Sequence, residues 1–280
     1  MDTYEKRGYL DRGFRLFHLT DIPQEEFDYH YHDFDKLIIF LSGKVTYMIE
    51  GRTYELKPYD LILVPQHMIH RPMIDQEIPY DRIIIYFSPE FLTHYKTDDY
   101  DLSACITKTR NNRSEVLRIP HLSQSILFQS IKNLEQACLG SGYANELHCQ
   151  LLFLEFMIQL NRSILNEDII YLNTTSDNQQ IQQILTYINQ HLTEPCSIDL
   201  LSRHFHMSRY HMMRLFKQET GYTIGDYITS KRLMLARELL KQDYPVTEIC
   251  YMSGFSGYHA FARAYKNAYG KTPRSDRPGN

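Results

Sequence analysis

Paired cysteines, long apolar runs and low-complexity tracts are all missing from this sequence. Its five cysteines (Cys105, Cys138, Cys149, Cys196 and Cys250) are odd in number and never spaced as C-x-x-C. That argues against a disulfide framework and for a reducing cytosol. The longest apolar run, 151–158, is broken by Glu155 and falls well short of the roughly 20 residues a membrane helix needs. The opening MDTYEKRGYL holds no apolar signal core, so a cytoplasmic location is expected. What the chain does have is 280 residues, 43 % of them hydrophobic, enough for two domains each with its own core.

Charge is divided unevenly between those halves. Residues 179–280 carry 13 Lys+Arg against 8 Asp+Glu, whereas residues 1–178 carry 17 against 26. An acidic front and a basic back suggest different partners, although chance unevenness gives the same picture.

Residues 10–120 read as β. Runs at 36–41, 44–50, 60–64 and 82–87 are rich in Ile, Val, Tyr and Phe, and Ser42-Gly43, Glu50-Gly51, Lys57-Pro58 and Ile78-Pro79 punctuate them. Strands this short and this closely spaced suggest a barrel or sandwich. From 121 to 165 the period becomes helical. Leu127, Ile131, Leu134 and Cys138 form one stripe; Gly140 and Gly142 break it; Leu147, Leu151, Leu154 and Ile158 form another. The second helix is also apolar at Leu152, Phe153, Phe156 and Met157, so it has two faces to bury. One face fits the barrel and the other a second subunit; burial of both within one large domain is the alternative. A polar stretch from Asn166 to Gln180 follows. The expected organisation is a first domain at 1–165, a linker at 166–178 and a second domain at 179–280, with helical period resuming at Ile181, Ile184, Leu185, Ile188 and Leu192.

The second domain contains a repeat offset by 49 residues: Phe216-Lys217, Gly221 and Thr223 recur as Tyr265-Lys266, Gly270 and Thr272. In the helix before the first glycine, Met212, Leu215 and Phe216 face inward, and Tyr210, Met213, Arg214 and Lys217 outward. In the second, Phe261, Ala264, Tyr265 and Ala268 face inward, and His259, Ala262, Arg263 and Lys266 outward. A shorter helix and a tight turn precede each. Ser197 is placed to cap the helix through Leu200, Leu201 and Phe205, and Ser208 the next. Val246, Ile249 and Met252 mark the short helix of the second unit, Gly254 its turn and Ser256 its cap. Short helix, turn and longer basic helix make a helix-turn-helix. Arginine at such a face suits guanine, and Lys217 and Lys266 suit phosphate. A helix at 224–242, apolar at Ile228, Leu235, Ala236, Leu239 and Leu240, joins the two units and would span about 28 Å at roughly 1.5 Å per residue.

These motifs resemble the DNA-binding domain of the AraC/XylS family over residues 181–277: Arg232-Leu233-x-x-Ala236-x-x-Leu239-Leu240, Glu248-Ile249-x-x-x-x-Gly254-Phe255, Phe261-x-Arg263-x-Tyr265-Lys266 and Gly270-x-Thr272-Pro273. The resemblance implies that Tyr210, Met213 and Arg214 approach bases in one groove and His259, Ala262 and Arg263 in the next; Ser208, Arg209, Lys217, Tyr258 and Lys266 complete the set expected to touch DNA. For Tyr210 and His259 plain surface exposure is the alternative. Ser202 and Cys250 replace a small alanine of the family, and His206 stands where glycine is common.

In the first domain His30-x-His32, Gly43 and Pro65-x-His67-x-x-His70 resemble the two short motifs of a cupin barrel. The resemblance implies a metal held by two histidines, a carboxylate four residues on and a third histidine. Here Lys36 takes the carboxylate's place, and an ammonium is repelled by a cation. No metal or other cofactor is therefore expected, although three histidines alone do hold zinc. His30, His32, Lys36 and His70 are expected to line an effector pocket; strand residues without a ligand are the bland alternative.

The expected fold is α+β and multidomain: a cupin-like β-barrel with following helices, then an all-α domain of two helix-turn-helix units joined by a linker helix. The expected function is an effector-responsive activator of a catabolic, carbohydrate-type operon. Its expected partners are double-stranded operator DNA, a sugar or small organic acid, RNA polymerase and a second copy of the chain, with no membrane. A cupin enzyme with an appended DNA-binding domain is the rival, weakened by Lys36. A constitutive DNA binder whose barrel only dimerises is the third reading.

Overall fold

The computed structural model of the protein describes residues 10, 12–23, 26–112, 114–166, 169–174 and 176–277. The opening stretch 1–9, where no signal core was expected, lies outside the described residues, as do 167–168 and 175 of the polar stretch. The chain divides into two compact units, Glu5–Ser176 and Asp177–Asn280. Sheet in the first and helices in the second give the expected α+β architecture. No helix among the described residues is long and apolar enough to cross a membrane.

The first unit holds two sheets. One orders β1 (Phe14–Asp21), β7 (Tyr80–Phe87), β2 (Asp35–Ser42), β5 (Leu61–Val64), β8 (Val116–Arg118) and β9 (Ile170–Tyr171) side by side. The other runs β10 (Ser176–Asp177), β4 (Arg52–Glu55), β3 (Val45–Ile49) and β6 (His70–Ile74). Alternation along β2 assigns its faces. Leu37 and Ile39 join Leu63, Ile85 and Phe87 under the helices, while Ile38 and Phe40 join Ile62, Val45, Tyr47 and Tyr54 between the sheets. A strand covered on both sides reads as an unbroken apolar run, which is why D-K-L-I-I-F-L stands out in the sequence.

All four expected strands exist, at slightly different limits. β1, β4, β6, β8 and two short helices within 10–120, α1 (Pro89–Thr93) and α2 (Ala104–Asn112), are additional. The start of α1 is set locally: Pro89 occupies its first turn and Ser88 Oγ accepts from the Phe91 N–H. β6 tolerates Pro72 because it is an edge strand. β9 pairs with β8, so part of the polar stretch extends the sheet rather than hanging free.

Two long helices cover the first sheet, α3 (Ile126–Leu139) and α4 (Asn145–Leu165). Leu127, Ile131 and Leu134 are buried as expected, but Cys138 is exposed and Ala137 is buried in its place, since the α3 stripe turns by one position in its last turn. In α4 it is Phe153, Phe156, Met157 and Leu160 that are buried, while Leu147, Leu151 and Ile158 stay exposed. The two apolar faces are thus real, and among the described residues of the first unit only one is covered.

The second unit contains α5 (Gln179–Gln190), α6 (Ile198–His204), α7 (Arg209–Thr220), α8 (Ile224–Leu239), α9 (Val246–Met252) and α10 (Tyr258–Tyr269). Helix α8 ends three residues earlier than its apolar pattern suggests and spans about 24 Å at roughly 1.5 Å per residue.

Candidate nucleic-acid interface and effector pocket

Helices α7 and α10 are built alike. Lys217 O and Lys266 O accept from the N–H groups of Gly221 and Gly270, whose φ values of 75° and 70° end each helix in the left-handed region that glycine tolerates. Ser197 and Ser208 cap as expected, accepting from the N–H groups of Leu200 and His211. Ser256 does not cap. The second turn is one residue longer, 253–257 against 205–208, so the capping position falls on Gly257, which has no side chain to offer. His206 takes φ 52° and Gly254 φ 88° in the two turns, so a histidine bears in the first turn the strain a glycine avoids in the second. Met252 is exposed, and so is Ala268, which was expected to face inward.

The outward faces are largely as the repeat requires. Ser208, Arg209, Tyr210, Met213, Arg214 and Lys217 on the first unit are exposed, as are Tyr258, His259, Arg263 and Lys266 on the second; Ala262 is half-buried. Arg209 pairs with Asp199 at 2.7 Å in full view of solvent, a contact worth little and easily traded for a phosphate. Among the described residues no ion pair ties down Arg214 or Arg263.

What fixes the two helices relative to each other is a junction that sequence reading missed. Arg232 of α8 donates through Nε to Leu192 O (2.8 Å) and through Nη2 to Glu194 O (2.7 Å). A Cβ added at Gly254 would sit 2.7 Å from the same Leu192 O and 2.8 Å from Arg232 Nε. The turn of the second helix-turn-helix therefore docks directly on the segment that enters the first. Asp276 closes the other side, accepting from Tyr265 Oη (2.8 Å) and pairing with Arg237 (3.3 Å).

In the first unit the structure brings together all four residues expected in the pocket. His30 and His70 face each other in an antiparallel bridge, N–H to carbonyl in both directions (3.1 and 2.9 Å), and His67 N–H donates to His32 O (2.8 Å). The three rings of His30, His32 and His70 lie 4.3–5.2 Å apart, centre to centre. Lys36 lies on the same strand face as Ile38 and Phe40, so it points between the sheets. Its Nζ sits 3.5 Å from Tyr47 Oη and 5.9 Å from the centre of the Tyr86 ring. Lys36 is 7 % exposed. Burial, with the charge of Arg82 adding to it, pulls the Lys36 pKa down to about 7. Burial also holds His70 well below the usual histidine range, helped by His30, Lys36 and His32. Tyr47, Tyr86 and Arg82 were not singled out in the sequence. They face Lys36 only through register: Tyr86 lies directly across from Lys36, and Arg82 across from Phe40. Arg82 is held by Asp21 and by Tyr80 O, at 2.5 and 2.8 Å.

Comparison with known proteins agrees with this division. Residues 16–156 match the family model of the AraC-like ligand binding domain, and residues 201–278 match that of a helix-turn-helix domain. The HTH-type transcriptional activator RhaS of Salmonella typhimurium is 25 % identical over 265 residues, 92 % of this chain and 90 % of that one. Among solved structures, ToxT from Vibrio cholerae is 16 % identical with a TM-score of 0.37, covering 96 % of this chain and 100 % of its own. The C-terminal domain of AraT, a response regulator from Geobacillus stearothermophilus, is 26 % identical with a TM-score of 0.35, covering 36 % of this chain and 85 % of its own. The chain belongs to the AraC family of DNA-binding transcription regulators and is not an enzyme.

Proposed function

We propose that this regulator is an effector-responsive activator of a catabolic operon, with a sugar or small organic acid as effector. The observation that carries the DNA half is the equivalence of α7 and α10. Each presents an exposed arginine and lysine at positions 49 residues apart on matching faces of one compact unit. Arg214 and Arg263 read guanine edges in successive major grooves. Met213 and Ala262 offer apolar contact to thymine methyls, and Tyr210 and His259 reach neighbouring bases. Lys217 and Lys266, with Ser208, Arg209 and Tyr258 near the helix starts, hold phosphates. Helix α8 spans about 24 Å, less than the roughly 34 Å between successive grooves; the loops at its ends or a modest DNA bend make up the rest.

The effector half rests on His30, His32, Lys36 and His70 converging between the sheets beside Tyr47. This donor-rich interior suits hydroxyls or a carboxylate. The exposed face of α4 (Leu147, Leu151 and Ile158) supports a homodimer. Operator DNA and RNA polymerase place the working protein in the cytoplasm. RhaS, an activator by name, supports activation over repression. A thermal-shift screen of the full chain against sugars and small organic acids tests the effector reading. A bound effector raises the melting temperature, and a screen without any hit returns the barrel to a purely dimerising role.

A further inference from the structure

We propose that Cys138 and Cys149 form a binding site for one soft monovalent ion, Cu(I), held between two thiolates where α3 meets α4. The two cysteines are 11 residues apart and match no metal-binding spacing in the sequence. The turn at 140–144 reverses the chain between the helices and brings the two side chains together. Both line one cleft of about 450 Å³ on the first unit. Cys138 is exposed and Cys149 buried, and a hydrogen bond joins the two thiols.

Asn145, in the first turn of α4, holds the pair in place. Its Nδ2 lies 2.9 Å from Ala137 O, 2.8 Å from Gly140 O and 3.7 Å from Cys149 Sγ. One side chain thus staples the end of α3 to the start of α4 and aims a donor at the Cys149 sulfur. An amide donor there favours a thiolate over a thiol. What opposes ionisation is burial first, then the charge of Cys149 and the shared hydrogen bond, which push the Cys138 thiol up to about 12. Two thiolates this close repel each other, and a cation between them turns that repulsion into ligation. A thiol so hard to ionise is a slow nucleophile, so disulfide formation suits the pair poorly.

The donor set selects the ion. Among the described residues no third histidine, cysteine or carboxylate converges on the pair. Zinc takes four donors, and magnesium and calcium take oxygens. Cu(I) is soft, prefers thiolate and is satisfied by two ligands in line. On binding, both S–H bonds break, two Cu–S bonds form, and two protons leave through the cleft. Nothing is oxidised or reduced. The resulting centre carries one net negative charge, and Arg12 and Arg15 line the same cleft to offset it. Cys149 belongs to the core under the helices, not to the core between the sheets. The site therefore gives the first unit an input separate from the effector.

The test is an anaerobic titration of reduced full-length protein against the purple Cu(I)–bicinchoninate complex. We expect the protein to withdraw one equivalent of copper and bleach the colour in proportion. Cys138→Ser and Cys149→Ser should each weaken binding by about 100-fold or more while leaving operator gel shifts unchanged, which also reports on folding. Cys196→Ser is the control and should bind copper as the wild type does. X-ray absorption of the one-equivalent complex should show two sulfur ligands and no imidazole. Should Cys149→Ser misfold, the absorption spectrum and Cys138→Ser, altered at an exposed position, decide. No withdrawal of copper, imidazole in the copper shell, or Cys138 and Cys149 variants that bind as the wild type does, overturns the site. So does a pair recovered as a disulfide once the copper is stripped under argon.

Discussion

Replacing Lys36 with methionine should make the first unit more stable and, at the same time, deaf to its effector. Lys36 is the second residue of a strand buried on both sides, its amine lies against Tyr47 Oη at the long distance of 3.5 Å, and among the described residues no carboxylate pairs with it. Its pKa falls from 10.5 to about 7 on folding. The unfolded chain therefore holds the proton up to about pH 10.5, and the folded chain only to about pH 7. Between those values the unfolded state binds more protons, so stability rises with pH; below pH 7 the full penalty applies. At pH 7 the shift corresponds to about 4 kcal/mol against folding, an upper bound because water entry and relaxation reduce it. Raising the pH from 7 to 9 should recover about 2 kcal/mol of that in the wild type and none of it in Lys36→Met.

Methionine keeps most of the volume and discards the charge, so packing changes little. The assay is denaturant unfolding of the full chain in chelating buffer at pH 7, 8 and 9, followed through the transition that the substitution moves. Stabilisation by about 1–4 kcal/mol at pH 7, shrinking as pH rises, is the expected result. A variant less stable than the wild type, with an unchanged difference across the pH range, would refute the assignment of a buried, half-neutral amine. A reporter assay supplies the functional half: the variant should bind operator normally and fail to respond to effector.

Other substitutions test the remaining parts. Arg214→Ala and Arg263→Ala should each cost roughly 1–3 kcal/mol in operator binding and relax preference at different base positions. Footprints identical to wild type on a panel of operators would misplace the reading faces. Lys217→Ala should weaken all sequences alike and lower the salt slope by about one, seen by titrating binding against salt. Leu147→Glu combined with Leu151→Glu should leave a monomer in sedimentation at micromolar concentration; a retained dimer moves the interface off α4. Gly254→Ala places a methyl 2.7 Å from Leu192 O in a backbone that disfavours it. It should cost about 2–4 kcal/mol in melting of the second unit and weaken a two-site operator more than a single site.

The parts of this molecule legible in sequence are those decided within a few residues. Ser197 and Ser208 cap because a hydroxyl at that point reaches an N–H three residues on, and Gly221 and Gly270 end helices because their φ is positive. The Ser256 expectation failed for an equally local reason, a turn one residue longer than its counterpart. The two faces of α4 were also visible, though its pattern does not say which one the barrel covers.

What stayed hidden depends on strand register. Tyr86 opposes Lys36 and Tyr47 pairs with Pro72 on the edge strand, and no local signal announces either. The Arg232 junction likewise joins residues 40 and 38 positions apart. Lys36 is the informative exception. A lysine in the run D-K-L-I-I-F-L violates the burial pattern on either face of a covered strand, so the strand pays in stability wherever that side chain points. A residue that breaks a local rule at such cost, beside the buried rings of His30, His32 and His70, is best explained by something the protein must bind. The same cost is why its removal should stabilise the fold it serves.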